Sequence, residues 1–176
     1  MEFGDKSRFA IAIDLDREHG GAWLFGRICY WIGNAIVGRY DLGTSLRDVL
    51  FQITYILGDR GKRTCSALLH LEKEKLFSII LDALNEKNNN ILQYTGQDFL
   101  PARFDVRIPV DVFDTWRVFL VEGDGAAKLL YRESEFSEVV ETTLQFGEFD
   151  RVFERACIYL EHLYGEAVSS PVVKPA

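Results

Sequence analysis

Hydrophobic periods of two and of about 3.6 residues do not alternate along this chain. They come in blocks: three strands, two helices, about four strands and one helix. A chain that repeats strand–helix–strand builds a parallel sheet, whereas grouped strands pair with their sequence neighbours. The expected fold is therefore α+β, a largely antiparallel sheet of about six to seven strands with about three helices mainly on one face.

The blocks are defined residue by residue. Phe9, Ile11, Ile13 and Leu15 alternate with Arg8, Ala10, Ala12 and Asp14, which predicts a half-buried strand over 8–15. His19, Gly20 and Gly21 turn the chain into a second strand over 22–32. That strand is apolar on both faces. Leu24, Ile28, Tyr30 and Ile32 line one, and Trp23, Phe25, Cys29 and Trp31 the other. Such a strand is covered twice or offers one face to a partner. Gly33-Asn34 turns the chain into a short third strand over 35–40.

Ser45 and Asp48 form a capping-box pair in front of the stripe Leu46, Val49, Leu50 and Ile53, so a helix starts there. It ends at Gly58–Gly61. A longer helix is expected over about 66–86, and 88–102 reads as irregular. Phe104, Val106 and Ile108 alternate with charged residues, predicting a strand. Gly123, Asp124 and Gly125 predict a hairpin between 115–122 and 126–132, and Val140 to Phe146 a last strand. Phe149, Val152, Phe153, Ala156, Leu160 and Leu163 mark a closing helix that Gly165 should stop. The reading is one domain over 1–168 and a flexible tail over 169–176.

Charge narrows the function classes. Residues 1–88 carry 12 acidic and 12 basic side chains, so the formal charge of −7 arises entirely from 89–176, with 15 acidic and 8 basic. Acidic surface repels nucleic acid and anionic membranes and attracts basic proteins. No run reaches the roughly 18 apolar residues of a membrane span, and Met1–Asp5 lacks the features of a signal peptide. Cytoplasmic residence is the default. Cys29, Cys65 and Cys157 are widely spaced and odd in number, which predicts buried free thiols rather than disulfides or a zinc site.

The sequence holds no familiar catalytic constellation. His19, His70 and His162 show no metal-ligand spacing, and no serine or cysteine sits in a nucleophile elbow. The glycines form no phosphate loop. Pro109, Asp111 and Glu122 faintly resemble the carboxylate pair of a metal-dependent nuclease, but Asp124 stands where a lysine would assist the attacking water. A metal-dependent hydrolase using Asp111 and Glu122 is thus the weaker alternative, and no metal, cofactor or catalytic residue is expected. Arg60, Lys62 and Arg63 form the nearest basic cluster, and their simplest role is to complement a helix C-terminus.

Phe3-Gly4-Asp5-Lys6-Ser7-Arg8-Phe9-Ala10-Ile11 resembles the opening of immunity protein family 42 of the bacterial polymorphic-toxin systems. The likeness continues through Trp23–Gly26, Cys29–Gly33, Gly38 and Tyr40–Leu46, and resumes at Asp111–Trp116, Phe119-Leu120 and Phe149-Asp150. It is weakest over 60–102. The resemblance implies a small cytoplasmic α+β protein encoded beside a toxin, as in contact-dependent growth inhibition. It would bind the cognate toxin's C-terminal domain and would have no nucleic-acid, membrane or small-molecule partner.

The acidic bias suits such a role, because a nuclease-type toxin is basic where its substrate binds. The expected interface is Asp111, Asp114, Glu122, Asp124, Glu133, Glu135, Glu138 and Glu141, chosen for local charge density. Trp23, Phe25 and Trp31 are a second choice, for which core burial is the plainer expectation. A non-catalytic adaptor that binds some other cytoplasmic protein is the remaining alternative.

Overall fold

A computed structural model describes residues 1–169. The strands are β1 (Glu2–Asp5), β2 (Phe9–Leu15), β3 (Phe25–Ile32), β4 (Ala35–Val37), β5 (Thr44–Ser45), β6 (Arg117–Gly123), β7 (Ala126–Arg132) and β8 (Val140–Gln145). The helices are α1 (Leu46–Gly58), α2 (Ser66–Leu69), α3 (Lys73–Leu84), α4 (Leu92–Thr95) and α5 (Glu148–Ser169). The class is α+β as expected, but the strands form two antiparallel sheets. One runs β1-β2-β3-β4 with β5 also on β3, and the other runs β6-β7-β8.

Two cores follow from that division. The inner face of the first sheet (Phe9, Ile11, Ile13, Ile28, Tyr30, Ile32) meets α1, α5 and one face of the second sheet (Val118, Leu120, Leu129, Tyr131). The far face of the second sheet (Phe119, Val121, Leu130) meets α2, α3 and α4 through Leu68, Phe77 and Ile80. The second sheet is thus a shared wall, which explains its near-continuous apolar runs. Phe9 stacks on Phe149 at 4.7 Å and meets Tyr30 edge-on at 5.6 Å, pinning α5 to the first sheet.

Local chemistry explains the elements. Ser45 Oγ accepts from Asp48 N at the start of α1, as the capping box requires. Gly33 and Asn34 both have positive φ, giving the two-residue turn that joins β3 to β4. Asp124 and Gly125 do the same for β6 and β7. Gly38, at φ +106, carries the chain so close to Phe113 that a Cβ would lie 2.7 Å from its ring.

Several expectations are corrected. The second strand starts at Phe25, because a 3₁₀ turn at Gly21–Trp23 and Leu24 at φ +53 precede it. That turn buries Leu24 and leaves Trp23 outside. Ala10 and Ala12 are buried as well, so β2 is buried along both faces rather than half-buried. The helix expected over 66–86 is two: α2 and α3 are separated by His70–Glu72, and the Leu71 carbonyl freed there accepts from Lys128 Nζ at 2.9 Å. Residues 104–108 bury Phe104, Val106 and Ile108 as the alternation demands, yet they form no strand of a sheet. A single bridge, Asp105 to Phe119 with Val106 N donating to Val118 O at 3.0 Å, joins them to β6, and the Tyr30 hydroxyl takes their backbone further on, donating to Val106 O at 3.0 Å and accepting from Ile108 N at 3.3 Å. Gly165 does not stop α5, which runs on to Ser169. Leu163, Tyr164 and Ala167 pack on the core and override the local glycine cost of about 1 kcal/mol. Beyond Ser169, the expected tail lies outside the described residues.

The cysteines are free and buried. Burial pushes the Cys29 thiol up to about 12 and that of Cys157 to about 11, so neither is a nucleophile at neutral pH. No helix among the described residues is long and apolar enough to cross a membrane.

Candidate functional site

The eight acidic residues chosen from the sequence are not brought onto one face. Three of them, Glu133, Glu135 and Glu138, stand exposed in the loop between β7 and β8. Ser137 N donates to Ser134 O, and the two serine hydroxyls lie 2.9 Å apart, so the loop is a defined turn. At its tip Phe136 is 99% exposed. A phenyl ring in water beside three carboxylates combines an apolar anchor with an attractive field. Sequence reasoning passed over Phe136 because it falls between strands, outside any apolar stripe. Its position inside the Glu133–Glu138 run was the available signal.

Asp114 joins this end of the molecule. It lines a groove of about 220 Å³ with Glu135, Lys87, Arg117 and Arg132. Arg107 lies 3.8 Å from Asp114, so part of its charge is balanced within the fold. Glu141, on β8, is half-buried and pairs with Lys128 at 3.2 Å.

The remaining acidic residues lie elsewhere. Asp124 caps the β6–β7 hairpin at the opposite end of the sheet from the Glu133–Glu138 loop, about 20 Å away for a seven-residue strand. It accepts from Ser66 Oγ at 2.7 Å and lies 3.2 Å from His70 Nε2. Asp111 sits beside β5, accepting from Thr44 Oγ1 and from Val112 N, both at 2.9 Å.

Glu122 is the clear departure, with 1% exposure. Its partner on β7 is Ala127, so its side chain faces the main core with Leu120 and Leu129. One carboxylate oxygen accepts from Gly147 N at 2.8 Å, and the other has no hydrogen-bond partner. Burial raises its pKa, and nearby Asp150 raises it further against the pull of Arg63. Arg63 is also buried, at 1%. It donates to Asp150 Oδ1 at 3.1 Å, to Arg103 O at 2.8 Å, and to Ile56 O at the last turn of α1. Burial raises the Asp150 carboxyl as well, with Arg63 opposing. This cluster ties the end of α1 to the start of α5.

The basic cluster of the sequence is therefore internal wiring. Lys62 Nζ donates to Gly58 O at 2.7 Å and Arg60 pairs with Glu154 at 3.3 Å. Asp111 and Glu122, the carboxylates of the hydrolase reading, face different surroundings, one Thr44 and the other the core. Among the described residues no group of three His, Cys, Asp or Glu side chains could hold a metal ion.

The aromatic second choice splits. Trp23 and Phe25 are 49% and 45% exposed, which overturns core burial for both. Their rings lie parallel within 4°, with centroids 6.3 Å apart, on the outer face of the first sheet. The Arg47 guanidinium covers Trp23 at 3.8 Å. Trp31 is half-buried under Lys6 Nζ, 4.5 Å from its ring.

No curated protein matches the chain. The crystal structure of CdiI from Burkholderia dolosa AUO158 shares the fold, with a TM-score of 0.71 at 22% identity, covering 90% of this chain and 99% of that one. The profile of immunity protein 42 matches residues 1–157, and on that extent of the sequence the chain belongs to the immunity protein 42 family.

Proposed function

We propose that the chain is a stoichiometric inhibitor of a toxin: it binds the C-terminal domain of a cognate toxin encoded beside it and blocks that domain in the cytoplasm. Family membership supports the role, and the β7–β8 loop supports the mode. The single observation that carries the mode is Phe136, 99% exposed among Glu133, Glu135 and Glu138. A soluble domain gains nothing from a lone ring in water; docked in an apolar pocket the ring contributes about 1.5–3 kcal/mol. The surrounding carboxylates speed encounter with a basic surface, as a nuclease-type toxin presents to its substrate. Asp114 lies at the same end but shares its groove with Lys87, Arg117 and Arg132, so it adds no net negative charge to that surface. Asp124, Glu141, Asp111 and Glu122 lie outside this contact. The protein acts without catalysis in this reading.

Co-expression with the toxin encoded next to the gene tests it. Wild type should restore growth. E133K/E135K/E138K should keep the fold, lower the association rate steeply and weaken protection. Full protection by the triple variant would move the interface elsewhere, and no protection by wild type would remove the reading.

A further inference from the structure

A second surface feature lies beside β3 and β5 of the first sheet. A groove of about 550 Å³ opens there between β5, the first turns of α1 and residues 109–111. Phe25 forms one wall and Asp111 another, with Asp48 and Gln52 along α1. Its lining holds two carboxylates and no lysine or arginine. Asp48 is neutralised by Arg47, whose Nε and Nη2 reach it at 3.1 and 2.9 Å. Asp111 accepts only neutral donors, the Thr44 hydroxyl and the Val112 amide, and has no ion-pair partner among the described residues.

The aromatic wall is built rather than incidental. Phe25 is held edgewise by Gly20, where a Cβ would lie 2.9 Å from its ring, and it stacks parallel to Trp23. Ser45 Oγ donates to Trp23 O at 3.1 Å, fixing the turn that presents both rings. This chain already seats one guanidinium on that pair, Arg47 on Trp23. A ring and an unpaired carboxylate lining one groove favour a planar cation, which can stack on the one and fork onto the other.

We infer that this groove takes an arginine side chain from the bound protein partner, its guanidinium lying against Phe25 and paired with Asp111. Only the identity of the partner rests on the inhibitor reading; the arginine specificity stands on the groove itself. The site is separate from the β7–β8 loop, so the complex would be held at two points.

Two arms test it. In the first, the full chain labelled with ¹⁵N is titrated with acetyl-Gly-Arg-Gly-amide, and the indole N–H signals of Trp23, Trp31 and Trp116 are followed. The Trp23 signal should shift saturably while that of buried Trp116 stays fixed, and acetyl-Gly-Ala-Gly-amide should shift neither. Asp111→Asn keeps the oxygen that accepts from Thr44 and Val112 but loses the charge, and should weaken binding at least fivefold. Phe25→Leu keeps apolar bulk but loses the ring face, and should do the same. An unmoved Trp23 signal, or affinity unchanged in both variants, overturns the proposal. In the second arm the adjacent-gene toxin domain is titrated, and Asp111→Asn should weaken it about tenfold. Peptide binding without toxin binding would refute the inhibitor reading and leave the groove standing. Toxin binding that both variants leave unaltered would refute the groove's part in the complex.

Discussion

Single side chains divide into those the fold needs and those it spares. Phe136 touches nothing that stabilises the monomer, so Phe136→Ala should change unfolding free energy by less than about 0.5 kcal/mol. The same change should cost tenfold or more in toxin affinity, as expected of a central aromatic anchor. Thermal melts and a binding titration on the same preparation check both halves. Glu122 is the opposite case. Its folded pKa is raised above the ordinary 4.5 by burial and by Asp150. A carboxyl raised in this way favours folding most while protonated: its contribution is complete below the unfolded value and is lost as pH rises through the folded one. Wild type should therefore lose stability relative to Glu122→Gln as pH rises above the ordinary glutamate value of 4.5. Parallel melting curves for the two proteins across that range would show that Glu122 carries no such burden. Phe9→Ala removes the ring that Phe149 stacks on, and should cost about 3–5 kcal/mol in chemical denaturation.

Elements show where local signals decide and where packing overrules them. The α1 cap at Ser45 and the two-residue turns at Gly33-Asn34 and Asp124-Gly125 were readable, because each is set by residues within four positions. The α2–α3 break was not, since nothing local opposes a helix through His70–Glu72. In the break, Lys128 on β7, 57 residues away in sequence, takes the Leu71 carbonyl. Residues 104–108 were misread for a similar reason. Their alternation reports burial correctly, but only an isolated bridge joins them to β6, with Val106 N donating to Val118 O, while Val106 O and Ile108 N go to the Tyr30 hydroxyl. Gly165 was taken for a stop because glycine usually is one. The helix passes through it at an exposed point with open space where a Cβ would go. Gly165→Ala should accordingly stabilise the protein by about 0.5–1 kcal/mol, raising the melting temperature by about 2–4 °C. A fall in melting temperature would place a break at Gly165.

At the scale of the whole molecule, one charge imbalance has been resolved into separate uses. Residues 89–176 are acidic as a block, but the fold sends Glu122 and Asp150 inward to meet Arg63 and spends Glu141 on Lys128. What remains as free acidic surface with an anchor is the loop of Glu133, Glu135, Phe136 and Glu138. Strand alternation could not forecast this. It assigns faces within a sheet, whereas the acidic residues belong to two ends of one sheet and to the rim of another. The exposed pair Trp23 and Phe25 was visible as a doubly apolar strand, and the sequence left open whether that face was covered. In the proposed reading, the exposed aromatic pair and the acidic loop are the two places where the partner would be held.

The most direct test is a calorimetric titration of the full chain with the toxin domain encoded beside it, repeated at rising salt and with E133K/E135K/E138K. The account predicts one-to-one binding, affinity that falls with salt, and a loss of at least tenfold in the triple variant. Binding of equal strength by wild type and variant, insensitive to salt, would contradict it, as would no binding at all.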